Sequence, residues 1–314
     1  MLLIWLVYKN SPKQIGSYKY LMIYIAVFEI SYSIIDGFLE PLVFSHNSIF
    51  LVFIRIENYF FKKEIYILLI CIWAAFFGSF MAFFAVQFIY RYFVVSGSIF
   101  LKSFNDCRLL LWMCGPLICG ISWGTVTYFT MHPNEQIDDV VRNDILVDFD
   151  SKLENITYIG SYLYRVTTDG CEKLNEKNLF GIIILLLIIV VSILTILASG
   201  ILCFLKIEQY VRTTRNLSQT FNGLQHQLLY ALITQTLIPV ILMHIPVSII
   251  FVSTVLSINI GKASVLVSVT IALFPALDPF PVILIVKHYR FAMMSAFTTP
   301  VFQFVRNRLD NPVN

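Results

Sequence analysis

The sequence predicts an all-α integral membrane protein, a seven-crossing helix bundle whose first helix is truncated at the amino end. Three observations carry that prediction. Only 13% of the 314 residues are charged and 58% are hydrophobic, with a mean hydropathy of +0.79. A water-soluble domain carries about 25% charged residues, so this chain has too little polar surface to coat a soluble particle. The apolar residues fall in long runs, not in alternating segments of about ten, which selects helices over a membrane barrel. Lys and Arg are also sorted between alternate loops, as in a polytopic protein.

Taken in order, residues 1–8 (Met-Leu-Leu-Ile-Trp-Leu-Val-Tyr) are apolar but fall short of the ~20 residues a span requires. They lack the basic start and small-residue cleavage site of a signal peptide. They read as the end of a spanning helix whose beginning is missing. A basic loop with Pro12 and Gly16 follows. The second helix is predicted over 20–43, ending near Pro41, with Glu29 and Asp36 seven residues apart on one face. Residues 45–48 read as a polar loop and 49–64 as an interfacial one. The third helix covers 65–95 and is rich in aromatic and small residues. The fourth covers 109–130, where Gly115, Gly120 and Gly124 form a small-residue packing face.

Residues 131–178 form the one long polar loop, with ten acids against five bases. Ile137, Val141 and Ile145 recur every four residues there, the period of a short amphipathic helix. Asn155-Ile156-Thr157 is a glycosylation sequon. The fifth helix is predicted over 179–205. The sixth, over 227–257, carries Pro239 and Pro246. The seventh covers 263–286, and a tail over 291–314 begins with a stretch able to lie along the membrane surface.

Orientation follows from the loops. Those at 9–19, 91–108 and 206–227, with the segment from Lys287 onward, hold thirteen Lys and Arg against three acids. They belong on the cytoplasmic side of the plasma membrane, with the amino end outside and the carboxyl end inside. The acidic 131–178 loop and its sequon then fall outside. Asn216-Leu217-Ser218, a second sequon-like triplet, falls inside and is expected to be silent.

Phosphate-binding loops, dinucleotide fingerprints, zinc-helix motifs and nucleophile elbows are absent, so neither an enzyme nor a cofactor is expected, and nucleic acid is not an expected partner. Four of the six cysteines lie in apolar segments, without a metal spacing. The chemistry sits elsewhere. Pro275, Pro279 and Pro281 surround Asp278 in the seventh helix. Proline removes a backbone donor and kinks a helix, and an intramembrane acid normally faces the bundle interior. Glu29, Asp36 and Asp278 read either as a polar network holding a proton or a sodium ion, or as neutral acids bonded to neighbouring hydroxyls. Arg91, at the end of the third helix, reads either as a snorkelling interface residue or as a functional cation. Trp73, Phe76, Phe77, Phe80 and Phe84 form an aromatic stripe, either bundle core or pocket wall. Trp73, Phe76 and Phe77, nearest the outside, are the pocket candidates. His244 is the one histidine inside a helix, read as a core residue or a ligand contact. Pro239 and Pro246 mark a static kink or a hinge.

Five stretches together resemble a known family. They are Ser11–Met22, Phe28–Asp36, Phe88–Tyr92, Gln235–Val240 with Ile245-Pro246, and Pro275–Pro281 with Lys287–Arg290. On these the chain resembles the nematode serpentine chemoreceptors of the Str/Srj type, seven-transmembrane G-protein-coupled receptors, over 9–290. The resemblance implies olfactory-type detection of a small environmental molecule in sensory-neuron cilia, with a heterotrimeric G protein and the lipid bilayer as partners. It implies a switching role for Arg91 and for Asp278 and Pro279; Tyr92, Asp36 and Pro239 are read with them as switch candidates. Tyr90 stands where the wider superfamily has an acid before the arginine. A superfamily-type disulfide from Cys171 is not expected, since Cys71 lies six residues into the third helix, about 9 Å deep. The alternative is a small transporter relaying ions through the three acids; the inverted repeats that often mark one are not seen.

Overall fold

The computed structural model describes residues 1–56, 61–105, 107–139, 142, 149, 153–166, 172–213 and 219–295. Its helices are α1 (Leu2–Asn10), α2 (Tyr18–Leu39), α3 (Lys63–Ser96), α4 (Arg108–Thr130), α5 (Glu176–Thr213), α6 (Gln219–Pro239), α7 (Ile245–Val255), α8 (Val265–Leu277) and α9 (Pro279–Ile285). Six segments are long and apolar enough to cross a membrane: Tyr18–Leu39, Lys63–Ser96, Arg108–Thr130, Glu176–Gln209, Gly223–Val255 and Lys262–Ile285. The short α1 packs Leu3, Leu6 and Val7 into the bundle.

α3 is the central helix. It is apolar all round, and 72% of its most apolar stretch is buried, against at most 39% in any other span. A helix with no polar face is one surrounded by others. Its closest neighbour is α4, and small residues set the approach. A Cβ on Gly120 would stand 2.1 Å from Ser79 Oγ and 2.6 Å from the Ala75 carbonyl oxygen, and one on Gly124 3.0 Å from the Cys71 carbonyl oxygen. Gly115, predicted to share this face, has open space where its Cβ would go. Its place in the sequence run fits, but the helix turns it outward.

The bundle is helical as predicted, and it carries a sheet where loops were expected. β1 (Leu42–His46) and β2 (Ile49–Arg55) form a hairpin, and β3 (Ile156–Tyr162), from the long acidic loop, joins β2 antiparallel with Leu51 opposite Gly160. Helix α2 ends at Leu39, earlier than predicted, because Glu40 turns left-handed at φ 46°. The 45–48 and 49–64 segments therefore need correcting: most of 42–55 is strand. β2 is buried at every position from Ile49 to Ile54. One face packs on the bundle through Phe50, Val52 and Ile54, and the other, with Phe44, Ile156 and Tyr158 of the flanking strands, is covered by Ile137 and Phe149 of the acidic loop. A strand covered on both faces has no hydrophobic alternation, so its period does not announce it.

Two short strands, β4 (Tyr164–Val166) and β5 (Glu172–Leu174), pair beyond the sheet. The open edge of β1 is closed by α8: Ser268 Oγ accepts from Val43 N (2.7 Å) and Ser264 Oγ from Ser45 N (3.1 Å). The Gly261 amide adds a bond to the Ser45 carbonyl (2.9 Å). The sheet is thus sewn to α8 and, through Gly160 N to the Met131 carbonyl (2.8 Å), to the end of α4. In the acidic loop residues 135–139 are helical and Ile137 is fully buried, while Val141 and Ile145 lie outside the described residues. α5 runs on to Thr213 and α6 starts at Gln219, so both exceed their predicted spans. Asn216-Leu217-Ser218, Cys171 and residues 296–314 lie outside the described residues. Helix continues over 287–295, with Phe291 and Met294 exposed.

Because the α3–α4 contact has no room at Gly120, Gly120→Val is expected to destabilise the detergent-solubilised protein by roughly 3 kcal/mol or more. Gly115→Val should leave it within about 0.5 kcal/mol. Melting curves of the two variants compare them directly.

Candidate functional site

Under the sheet the bundle encloses an apolar cavity of about 40 Å³. Its roof is Val43, Phe50, Val52 and Ile159 of the sheet. Trp73, Ala74 and Phe77 of α3 and Trp123, Thr127 and Met131 of α4 form one side, and Leu185, Val247, Ile250, Phe251 and Ile271 form the other. Two of the three aromatic pocket candidates are therefore at the cavity. Phe76 is not: its ring lies against Phe28 (4.5 Å between centroids) and Tyr32 (5.9 Å), in the contact between α2 and α3. A step of one residue, about 100° around the helix, decides which residue of the stripe meets the cavity.

His244 stands behind the wall. Its ring stacks on Phe77 at 4.6 Å, and Phe77 in turn lies 5.0 Å from Trp123. His244 closes a π-helical turn, Val240–His244, which separates α6 from α7. Such single wide turns recur at functional sites. Its cause is local. Pro246 has no amide to donate, and the turn re-bonds the backbone one residue further along: Ile245 N reaches the Val240 carbonyl, and His244 Nδ1 donates to that of Pro239 (3.0 Å). Pro239 thus ends α6 at the place where the sixth span changes its winding. His244 also borders a lateral crevice of about 500 Å³ between α5 and α7.

The three acids separate. Asp36 sits in the last turn of α2, near the sheet, where Asp36 Oδ1 accepts from Trp73 Nε1 (2.8 Å) and from the Tyr32 hydroxyl (3.2 Å). The network expected to join it to Asp278 is corrected accordingly: it orients a wall of the cavity. Its partner is a tryptophan on α3, which spacing along α2 cannot reveal. Glu29, two turns deeper, is the acid that meets Asp278. Both are buried, and the two carboxyls are close neighbours. Glu29 Oε1 and Asp278 Oδ1 have no hydrogen-bond partner, while Asp278 Oδ2 accepts from Gln235 Nε2 of α6. Asp278 occupies the junction between α8 and α9, where Pro279 and Pro281 free two carbonyls upstream. The cluster ties α2, α6 and α8 together at the break in the seventh span.

At the end of the bundle away from the sheet, Arg91 is buried, 1% exposed, so the snorkelling alternative does not describe it. Its guanidinium lies 3.6 Å over the Tyr18 ring, and Nη1 donates to Gln225 Oε1 of α6 (3.1 Å). The Tyr18 hydroxyl donates to Gln87 Oε1 (2.8 Å). Among the described residues no carboxylate pairs with Arg91; stacking on an aromatic face and a neutral amide hold it instead. Tyr92 is half-buried beside Phe93. Nearby, Tyr289 Oη and Ser11 Oγ share a bond of 2.9 Å, and burial raises the Tyr289 phenol above its ordinary range. At the sheet end, Tyr158 donates to Asp138 (2.5 Å), and burial together with that carboxylate pushes its phenol up. Asn155 is exposed at the start of β3, and Cys71 is buried as a free thiol.

These features describe a bundle with an enclosed pocket at one end and a buried arginine at the other, joined by a sixth span with a wide turn. The profile of the Str serpentine-type seven-transmembrane G-protein-coupled chemoreceptors matches residues 1–294. The chain belongs to the Str family. The Str-family chain is 34% identical to G-protein coupled receptor str-217 of Caenorhabditis elegans over 293 residues, 93% of this chain and 84% of that one. It is 29% identical to serpentine receptor class r-10 of Caenorhabditis briggsae over 92% of this chain and 83% of the other. Serpentine receptor class J-38 of C. elegans is 22% identical over 94% and 88%. No solved structure matches. The Str family is a receptor family, not an enzyme family, and this member is a multi-pass membrane protein.

Removing the Trp73 donor leaves the partly buried Asp36 carboxylate with only the longer bond from the Tyr32 hydroxyl. Trp73→Phe is expected to destabilise this Str-family protein by about 1–3 kcal/mol, and the double variant Trp73→Phe with Asp36→Leu to recover part of that loss. A thermal melt of the three proteins tests the coupling.

Proposed function

We propose that this chain is a chemosensory receptor that detects a small environmental molecule in the cavity beneath the sheet and activates a heterotrimeric G protein. The observation that carries the reading is the contact between Phe77 and His244. It places a cavity wall against the wide turn of the sixth span. A molecule in the cavity touches Trp73 and Phe77 directly. Its pressure on Phe77 reaches His244 without an intermediary and biases the angle between α6 and α7. A change there alters what α6 presents lower down, where Gln235 holds Asp278 and Gln225 holds Arg91. Helix movements at a kink are a common form of two-state switching, and a ligand shifts such an equilibrium only by its different affinity for the two states.

In this reading Trp73, Phe77 and His244 belong to the ligand end, joined by Asp36 as the anchor of Trp73. Phe76 supports them from the α2 side. Arg91 and Tyr92 belong to the G-protein end, with Asp278, Pro279 and Pro239 between. The excess of Lys and Arg in the loops at the Arg91 end supports a cytoplasmic placement of that end, and a chemoreceptor role is the ground on which we propose the plasma membrane of sensory cilia.

The test is heterologous expression with a G-protein activation readout across a panel of small odorants. Arg91→Ala at normal surface level is expected to abolish evoked activation. Asp278→Asn is expected to change basal or maximal signalling by several-fold with the order of ligand preference unchanged. An Arg91→Ala receptor that signals normally, or an Asp278→Asn receptor altered only in selectivity, removes those assignments. Orientation has its own check: Asn155→Gln should abolish a glycosidase-sensitive shift on a gel, and a wild-type chain with no such shift counts against an outside sheet.

A further inference from the structure

The cavity wall is mostly hydrocarbon and aromatic carbon, with a thioether sulfur from Met131 and an indole N–H from Trp123. Trp73 brings an indole N–H, but that donor is engaged by Asp36. Thr127 brings a hydroxyl, and the Thr127 side chain is buried with Oγ1 unpartnered. On the same helix Ser122 bonds back to the Ile118 carbonyl (2.8 Å) and Thr130 to that of Val126 (2.8 Å), while Thr125, which does not, is exposed. Thr127 does not, although that bond is the local default for a helical threonine. A buried hydroxyl left unsatisfied is costly, and the other polar group this wall offers is the Trp123 indole N–H, a donor only. A water molecule is held by two to four polar groups, so a wall this poor in them is a poor host for one. A molecule with one polar atom and an apolar remainder meets both requirements.

We infer that Thr127 is the specificity-determining residue of this cavity, and that the occupant is a small, otherwise apolar molecule with one oxygen function that hydrogen-bonds the Thr127 hydroxyl. The inference rests on the proposal that the cavity is the ligand site. Size supports the class: a space of about 40 Å³, in the measure by which one water needs about 10–15 Å³, takes a handful of non-hydrogen atoms. Threonine can donate to a carbonyl or accept from an alcohol, so ketones, aldehydes and short alcohols fall inside the class. Alkanes and alkenes of the same shape fall outside it, and so do carboxylates and ammonium ions, for which the cavity has no counter-charge.

The experiment compares 2-pentanone with 2-methyl-1-pentene, which replaces the carbonyl oxygen by a methylene. Binding to purified receptor in nanodiscs is followed by the fluorescence of Trp73 and Trp123, which both line the cavity. The ketone is expected to bind about tenfold more tightly than the alkene. Thr127→Ser should keep that preference, and Thr127→Val should reduce it to less than twofold. Since the hydroxyl has no protein partner, Thr127→Val is also expected to melt at or above the wild-type temperature. Equal binding of the two probes, a preference that survives in Thr127→Val, or no saturable change with either probe overturns the inference. A lowered melting temperature for Thr127→Val does so too. None of these readouts involves a G protein. Oxygen-selective binding without signalling would therefore count against the proposed receptor function and leave the role of Thr127 standing, while signalling indifferent to Thr127→Val would do the reverse.

Discussion

Away from water, a polar group without a partner costs roughly several kcal/mol, and the arrangement of this protein follows from that constraint more than from any single contact. Three prolines around Asp278 and two in the sixth span each remove a backbone donor. The chain responds with a wide turn capped by His244 and a helix break at Asp278. The strands of the sheet would expose an open edge over the bundle; serines of α8 close it. Glu29 and Asp278 lie together in the bundle interior, where Gln235 donates to Asp278.

The same constraint gives the molecule its two ends. At the sheet end the polar groups are consumed in holding the roof: Asp36 by Trp73 and Tyr32, the β1 amides by α8. What remains beneath is apolar, apart from the Thr127 hydroxyl and the Trp123 indole N–H. At the other end a guanidinium is held by a tyrosine face and an amide. That hold is weaker than a carboxylate's would be, since charge-assisted pairs are the stronger ones. The carboxyl cluster lies between, on the helices whose relative movement would connect the two ends.

Much of this was legible in the sequence. Six of the spans stand out because a bilayer demands about twenty apolar residues in a row. The prolines and the intramembrane acids point to the seventh and sixth spans before any coordinates. Trp73 and Phe77 are pocket residues in both readings. The sheet was hidden, because β2 is covered on both faces and so reads as an unpatterned apolar run. Phe76 and Phe77 are neighbours in sequence, and only the rotation of α3 against α2 and α4 tells them apart. Asp36 and Glu29 share a face of α2, yet their partners come from α3 and α8. Thr127 carries no signal at all, since one threonine in a helix resembles another until its hydroxyl is seen without a bond.

The sequence by itself determined the class of molecule, the number and place of its long spans and the positions where helices must break. Those depend on composition, run length and proline, which act locally. Which acid meets which, which aromatic faces the cavity and what roofs it were decided by the tertiary structure. Partners there come from segments far apart in the chain, and a lateral contact between helices depends on rotations that no single helix encodes.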